Sequence, residues 1–433
     1  MQLRIPQTLS SITIWLLVGY MLSGIIKNAL LLFDIQAGFD LTLVLALLII
    51  LFGSLMWMRR GFAIKVERLN LMLLVLFALL ITWMSISMVY SNSQWYKYAK
   101  FFGFCTGVFL VLIPLFFDTL NLSLYSRVYT YLTLFGSWFY IFVMTRYELF
   151  EFFFEVKDMY LYFGKMLGTG TILLVFGWRR VLHWSRSKAY LIIFCCILTL
   201  LALGARGPFI FFVAVCIVGL FIQLLVGNSE RVKPRQSSGR VLTLVLGIVA
   251  LLGTVMLITF SDDLLQLILR SFNRYVVLFE FLDISSESDG GKSIDNRVQF
   301  IQHTFYGIFE SGYSFLFGNG FGSFGMDFLG YEAELYPHNL FLEAWYEMGV
   351  IGFLLLFGIL TLAIWQLTKS PIGFLMIPAV SFELLNFLKS GSFADTRTLF
   401  LLITLGLGFS KHQLGLHNET DYEPHKETYE RSE

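Results

Sequence analysis

Long apolar runs, interrupted by short polar ones, set the pattern of this chain from end to end. A bilayer core of roughly 30 Å needs about 20 mostly apolar helical residues per crossing, and about twelve stretches approach that length. They fall at 10–26, 41–58, 69–89, 99–117, 128–144, 160–178, 189–203, 208–226, 241–260, 342–368, 372–388 and 398–410. The expected fold is an all-α polytopic membrane protein with one long external loop.

That loop, 261–338, is the longest break in the apolar pattern, and loops of this length are functional or disordered. Within it, 264–282 shows helical apolar spacing around Arg270, Asn273 and Arg274, as in an amphipathic helix lying on the bilayer. Residues 285–292 read as a mobile loop, and 294–310 as a second amphipathic helix with Arg297 near its start and Asp295 or Asn296 as its cap. Gly318, Gly320 and Gly322 then suit either tight turns or a close backbone approach to phosphate. No Walker lysine accompanies them, so nucleotide binding and an ATPase are disfavoured. The expected division is 1–260 for the first nine transmembrane helices, 261–341 for the loop domain, 342–410 for the last three helices and 411–433 for a disordered polar tail.

Basic residues gather in alternate loops: Arg59, Arg60, Lys65 and Arg68; Arg179, Arg180, Arg186 and Lys188; Arg231, Lys233, Arg235 and Arg240. The positive-inside rule makes those loops cytoplasmic, together with both termini. The loops near Asp34, Gln94, 148–158, 204–207 and 261–338 are then external. A single Arg4 ahead of the first apolar run, with no small-residue cleavage site after it, reads as an uncleaved signal anchor.

Composition narrows the class further. Hydrophobic residues make up 57% of the chain and charged residues 14%, which excludes a soluble protein. A net charge of +1 argues against a nucleic-acid partner. Cys105, Cys195, Cys196 and Cys216 all fall inside predicted helices, so neither a disulfide framework nor a thiolate metal site is expected outside the membrane.

Candidate chemistry concentrates where the long loop re-enters the membrane. His338-Asn339 is followed, after nine residues, by Gly349-Val-Ile-Gly352; Gly204-Ala-Arg206-Gly-Pro forms an external hairpin tip; and Arg297 precedes Phe300 and Phe305. Under the charge-derived topology, Arg206, Arg297 and His338 all face the same side. Guanidinium groups bind phosphate oxygens through paired hydrogen bonds, and a histidine can take a hydroxyl proton near neutral pH. Each residue also has a plain structural reading: an arginine snorkelling to lipid phosphates, a histidine packed at the interface. Asn339 suits a helix cap or a support for the imidazole tautomer, and Gly349 and Gly352 suit close helix packing. Glu343 and Glu347 either orient His338 or sit at the interface. Glu383, Asn386 and Lys389 mark either a buried polar pathway, as in a lipid-linked oligosaccharide transporter, or a solvated helix end.

These three elements resemble the bacterial O-antigen ligase and polymerase superfamily of integral-membrane glycosyltransferases. The His-Asn segment with Gly349 and Gly352 is similar to that family's pattern at the end of its periplasmic loop. The Arg206 tip is similar to its Ser-Arg-Gly element, with Ala205 in place of Ser, and Arg297 to its second arginine. The resemblance covers about 191–352 and is architectural elsewhere. It implies an inner-membrane enzyme with a periplasmic active site, which transfers glycan from undecaprenyl diphosphate to an acceptor hydroxyl without metal, nucleotide or cofactor. His338 would be the catalytic base and Arg206 and Arg297 the diphosphate ligands, with Asn339, Gly349, Gly352 and Glu343 in support. The implied partners are that donor, a saccharide or lipid A core acceptor, membrane lipids and other polysaccharide-assembly proteins. A repeat-unit polymerase is slightly favoured over a ligase.

Overall fold

The computed structural model describes residues 7–32, 40–59, 68–111, 122–145, 159–177, 182, 184–226, 289–369 and 371–407. The regular structure among them is helical. The elements are α1 (Gln7–Met21), α2 (Ser23–Leu32), α3 (Leu41–Arg59), α4 (Arg68–Tyr90), α5 (Tyr96–Val111), α6 (Leu122–Thr145), α7 (Met159–Gly177), α8 (Arg186–Ala202) and α9 (Arg206–Val226). Then follow α10 (Asp289–Phe309), α11 (Gly312–Phe317), α12 (Phe324–Leu329), α13 (Leu340–Leu367), α14 (Pro371–Ser390), a 3₁₀ turn (Phe393–Asp395) and α15 (Arg397–Leu407). Each apolar stretch read from the sequence is helical where it falls on described residues, apart from a break at Leu22 and terminal turns at Leu203 and Thr368. The stretches 241–260 and 264–282 lie outside the described residues.

Three helical segments, Leu71–Tyr90, Met159–Gly177 and Leu340–Leu367, are long and apolar enough to cross a membrane. α4 shows why this helix belongs in lipid. Leu73, Phe77, Leu80 and Met84 are buried on one face, whereas Met72, Val75, Leu79 and Ile86 are exposed on the other. An α-helix with apolar residues on both faces is unstable at a water interface and stable in a bilayer. This is an integral membrane protein.

A small layer of α10, α11 and α12 covers one end of this bundle. Phe300, Ile308, Phe324 and Tyr346 form its buried centre, with Phe315, Phe328, Leu335 and Trp345 packed around them. α10 begins at Asp289, ahead of the cap expected at Asp295 or Asn296 and inside the stretch 285–292 read as a loop. Polar contacts fix the layer to the bundle. Tyr346 donates to Asp327 Oδ2 at 2.8 Å, and Asn92 donates to the other oxygen of the same carboxylate. Glu332 accepts from Ser93 Oγ at 2.7 Å and from the Gln94 and Tyr96 amides at 3.0 and 2.8 Å, at the N-terminus of α5. Burial pushes this carboxyl up, but those hydrogen bonds outweigh it and hold Glu332 below its ordinary range.

α13 is a bent helix, and the bend organises the loop beneath the layer. Gly349 has φ +66° and ψ −171°, which interrupts the helical ladder. The carbonyls just before the bend lose their helical partners and find others. Asn319 N donates to Tyr346 O at 2.8 Å, Gly320 N and Ser87 Oγ to Glu347 O at 3.0 and 2.8 Å, and Trp83 Nε1 to Met348 O at 2.8 Å. Each such carbonyl left unpaired in an apolar environment costs several kcal/mol, so the bend and the 318–322 loop form together. The amides of Asn319, Gly320 and Phe321 are thereby committed to backbone acceptors. The glycines of this loop therefore serve tight turns, and the phosphate-cradle alternative falls.

At the same end, Lys100 of α5 is completely buried and pairs with both Glu343 and Glu347 of α13, each at 2.5 Å. Glu343 also accepts from Ser392 Oγ at 2.8 Å and from Phe393 N at 3.1 Å. One ammonium thus ties α5, the first turns of α13 and the turn after α14 into one unit.

Gly349→Ala is expected to lower the thermal midpoint of the solubilised protein, because a Cβ there would strike the Leu316 carbonyl at a φ that L residues avoid. Gly358→Ala, whose Cβ would meet nothing within 4 Å, should leave the midpoint unchanged or raise it. Lys100→Met is expected to cost about 3–5 kcal/mol by leaving two buried carboxylates without a counter-charge, seen as a lower urea midpoint. Adding Glu343→Gln and Glu347→Gln to that variant should recover part of the loss.

Candidate active site at the layer-bearing end

The layer, the first turn of α13, the start of α9 and the end of α14 meet at one place, and each brings a basic side chain. Arg206 opens α9, Arg297 lies on α10, His338 directly precedes the α13 cap and Lys389 ends α14. Arg297 lies within electrostatic reach of His338, and Arg206 and Arg297 both lie within reach of Lys389. No described carboxylate forms an ion pair with Arg297 or Lys389. Like charges brought within reach of one another repel, so a place bordered by Arg297 and Lys389 favours an anionic occupant.

His338 is held by shape and by its backbone. It is the one non-glycine residue with positive φ among the described residues, at +58°. Its ring stacks on Phe300 with centroids 5.5 Å apart and leans on Tyr336 at 4.4 Å. Nδ1 is buried and has no hydrogen-bond partner among the described residues. Burial, with the Arg297 charge adding to it, pushes the imidazole down to about 4. The histidine is therefore neutral at neutral pH and presents a nitrogen able to accept a proton.

Asn339 settles the choice left open for it. Its Oδ1 accepts from the Phe341 and Leu342 amides at 3.0 and 3.1 Å, capping α13, while its Nδ2 donates to Leu388 O at 2.9 Å. Both ends of the amide are used, so it positions His338 through the backbone and holds no imidazole tautomer. Glu343 differs from its expected support of the histidine. Both of its oxygens are taken by Lys100, Ser392 and Phe393, so its part is to brace the α13–α14 junction. Gly349 and Gly352 lie deep to the site in the α13 bend, where a Cβ on Gly352 would strike Met348.

Glu383 and Lys389, read from the sequence as either a buried polar pathway or a solvated helix end, separate in space by role. Glu383 is fully buried, pairs with Lys165 at 3.2 Å and accepts from Thr169 Oγ1 at 2.5 Å. Lys389 turns the other way, toward the two arginines. The partnership of Lys389 with Arg206, and that of Lys100 with Glu343, span long sequence distances that no local pattern encodes.

Residues 191–357 match a family model described as O-Antigen ligase. This stretch is similar to that family. It includes Arg206, Arg297, His338, Gly349 and Gly352, whereas Lys100 and Lys389 stand outside it. No curated protein matches the chain.

The His338 environment has a measurable sign. A histidine whose folded value is depressed to about 4 from 6.5 contributes stability that is complete above pH 6.5 and is lost as the pH falls toward 4. Wild-type protein should therefore lose thermal stability relative to His338→Gln across that window.

Proposed function

We propose that this protein is an O-antigen ligase or polymerase-type membrane glycosyltransferase whose reaction centre is the cluster of Arg206, Arg297 and His338. The observation that carries the reading is a neutral histidine whose Nδ1 has no hydrogen-bond partner among the described residues, with Arg297 within its electrostatic reach and both Arg297 and Arg206 within reach of Lys389, in a stretch that matches the O-antigen ligase family. The donor on this reading is a glycan linked to undecaprenyl diphosphate. An acceptor hydroxyl attacks the anomeric carbon, the new glycosidic C–O bond forms, and the bond to the diphosphate breaks. Its electron pair leaves on the polyprenyl diphosphate. His338 takes the acceptor proton, and Arg206 and Arg297 stabilise the charge that grows on the phosphate oxygens through paired N–H donors.

The neutrality of the imidazole suits this task, because a cation there could not accept a proton. The same low value makes the free residue a weak base. The negative diphosphate would raise it once the donor is bound, so that basicity rises when both substrates are in place.

The wider arrangement belongs to the same proposal: about twelve crossings, both termini cytoplasmic, the α10–α12 layer in the periplasm and the protein in the inner membrane. The acceptor is another lipid-linked repeat unit if the enzyme is a polymerase, the reading kept slightly ahead, and lipid A core if it is a ligase. A carrier reading loses its main support, because Lys389 joins the arginines at one end and Glu383 is already paired with Lys165.

In a deletion strain, His338→Ala expressed at the wild-type level should restore no surface polysaccharide. Full restoration would remove His338 from the chemistry. Single repeat units on the acceptor would mark the deletion as loss of a polymerase, and glycan retained on the lipid carrier as loss of a ligase. In vitro, kcat/KM should stay level from about pH 8 to about pH 5, because it reports the free enzyme's depressed histidine, while kcat turns down at a higher pH.

A further inference from the structure

We propose that Lys389 is a third phosphate-binding residue, holding the donor diphosphate jointly with Arg206 and Arg297 from the end of α14. The inference deepens the reading above and rests on it.

Position is the first argument. Asn339 and Glu343, both in the first turns of α13, pin the chain on either side of Lys389. Asn339 Nδ2 holds the Leu388 carbonyl at 2.9 Å, and Glu343 receives the Ser392 hydroxyl and the Phe393 amide at 2.8 and 3.1 Å. The residue that caps the helix behind His338 therefore also fixes the base of Lys389. A lysine held this way is placed relative to the imidazole by a single side chain.

Direction is the second. The Lys389 side chain lies across Gly207, where any Cβ would strike its Nζ, Cε and Cδ. Gly207 is the second residue of α9, so the ammonium rests beside the N-terminal end of a 21-residue helix. That end carries partial positive charge, and Ala205 before it supplies no side-chain acceptor for its first-turn amides. Lys389 stands in the last turn of α14, where a cation is favoured, but its ammonium reaches across to the start of α9, and no described carboxylate forms an ion pair with it.

The Lys389 ammonium thus rests beside a helix N-terminus, with Arg206 and Arg297 both within its electrostatic reach. Helix N-termini are anion sites on their own, and the three side chains add compact and planar donors suited to several phosphate oxygens at once. A diphosphate offers two phosphate groups to such a set. A monophosphate leaves part of it unmatched.

The test uses full-length protein in nanodiscs, with farnesyl diphosphate, farnesyl monophosphate and inorganic pyrophosphate as probes, read by calorimetry. Wild type is expected to bind farnesyl diphosphate more tightly than the monophosphate. Lys389→Met should weaken diphosphate binding by about tenfold with little change for the monophosphate, and Lys389→Arg should restore most of it. The thermal midpoint of each variant establishes that it is folded. Unchanged diphosphate binding in folded Lys389→Met, alongside weakened binding in Arg206→Gln and Arg297→Gln, overturns the role of Lys389 alone. Unchanged binding in all three overturns the diphosphate site itself. If pyrophosphate repeats the pattern, the cations read the phosphates. If only the farnesyl probe binds and Lys389→Met does not affect it, the affinity is that of the lipid tail and the proposal fails.

Discussion

The buried ion cluster of Lys100 with Glu343 and Glu347 is the constraint on which the rest of this end of the molecule depends. Two carboxylates on successive turns of α13 would be prohibitively costly in an apolar bundle without a cation between them. Once Lys100 supplies it, α5 and α13 are locked together, and Glu343 still has oxygen lone pairs to hold the turn after α14. The Phe321 ring lies 5.1 Å from the same ammonium, which draws the glycine-rich loop into the joint. A polar cluster of this kind adds little net stability. It selects one arrangement, because any shift of register strands a charge.

The neighbouring site is built on the opposite rule. Around Lys100 two carboxylates share one cation; around Arg297 and Lys389 no described carboxylate answers. The two clusters share Glu343 and Asn339's helix, so the satisfied one provides a rigid frame for the unsatisfied one. The ion cluster and the α13 cap hold the chain on either side of Lys389, and aromatic stacking holds His338. A bound anion meets donors already in position, with little reorganisation left for the reaction itself.

Much of this was legible in the chain. Apolar run lengths located the helices among the described residues, because a crossing must satisfy its own backbone, and the pattern around His338 pointed to the segment proposed as the site. Loop charge put Arg206 and Arg297 on one side as an expectation, and in the structure both lie within reach of Lys389. What stayed hidden depends on pairing across distance. Glu343 looked like a partner for His338 because it is near in sequence, yet its partners are Lys100 and Ser392. Lys389 looked like a companion of Glu383 because both sit on α14, yet six residues along a helix point them to different neighbours. The α10 start was misplaced for a local reason: Asp295 and Asn296 are good caps, but the helix already runs through them.

The break at Gly349 has a further consequence for how such a protein meets its membrane. It divides α13 into a short piece, 340–348, that travels with the covering layer, and a straight piece, 350–367, about 27 Å long at 1.5 Å per residue. A bilayer that thickens or thins asks a crossing helix to tilt, and an unbroken α13 would transmit that tilt to His338. Here the straight piece can tilt about a glycine whose preceding carbonyls are anchored by Trp83 and Ser87 of α4. The bend thus separates the turn that carries His338, tied to α4 through Trp83 and Ser87, from the straight apolar piece of α13.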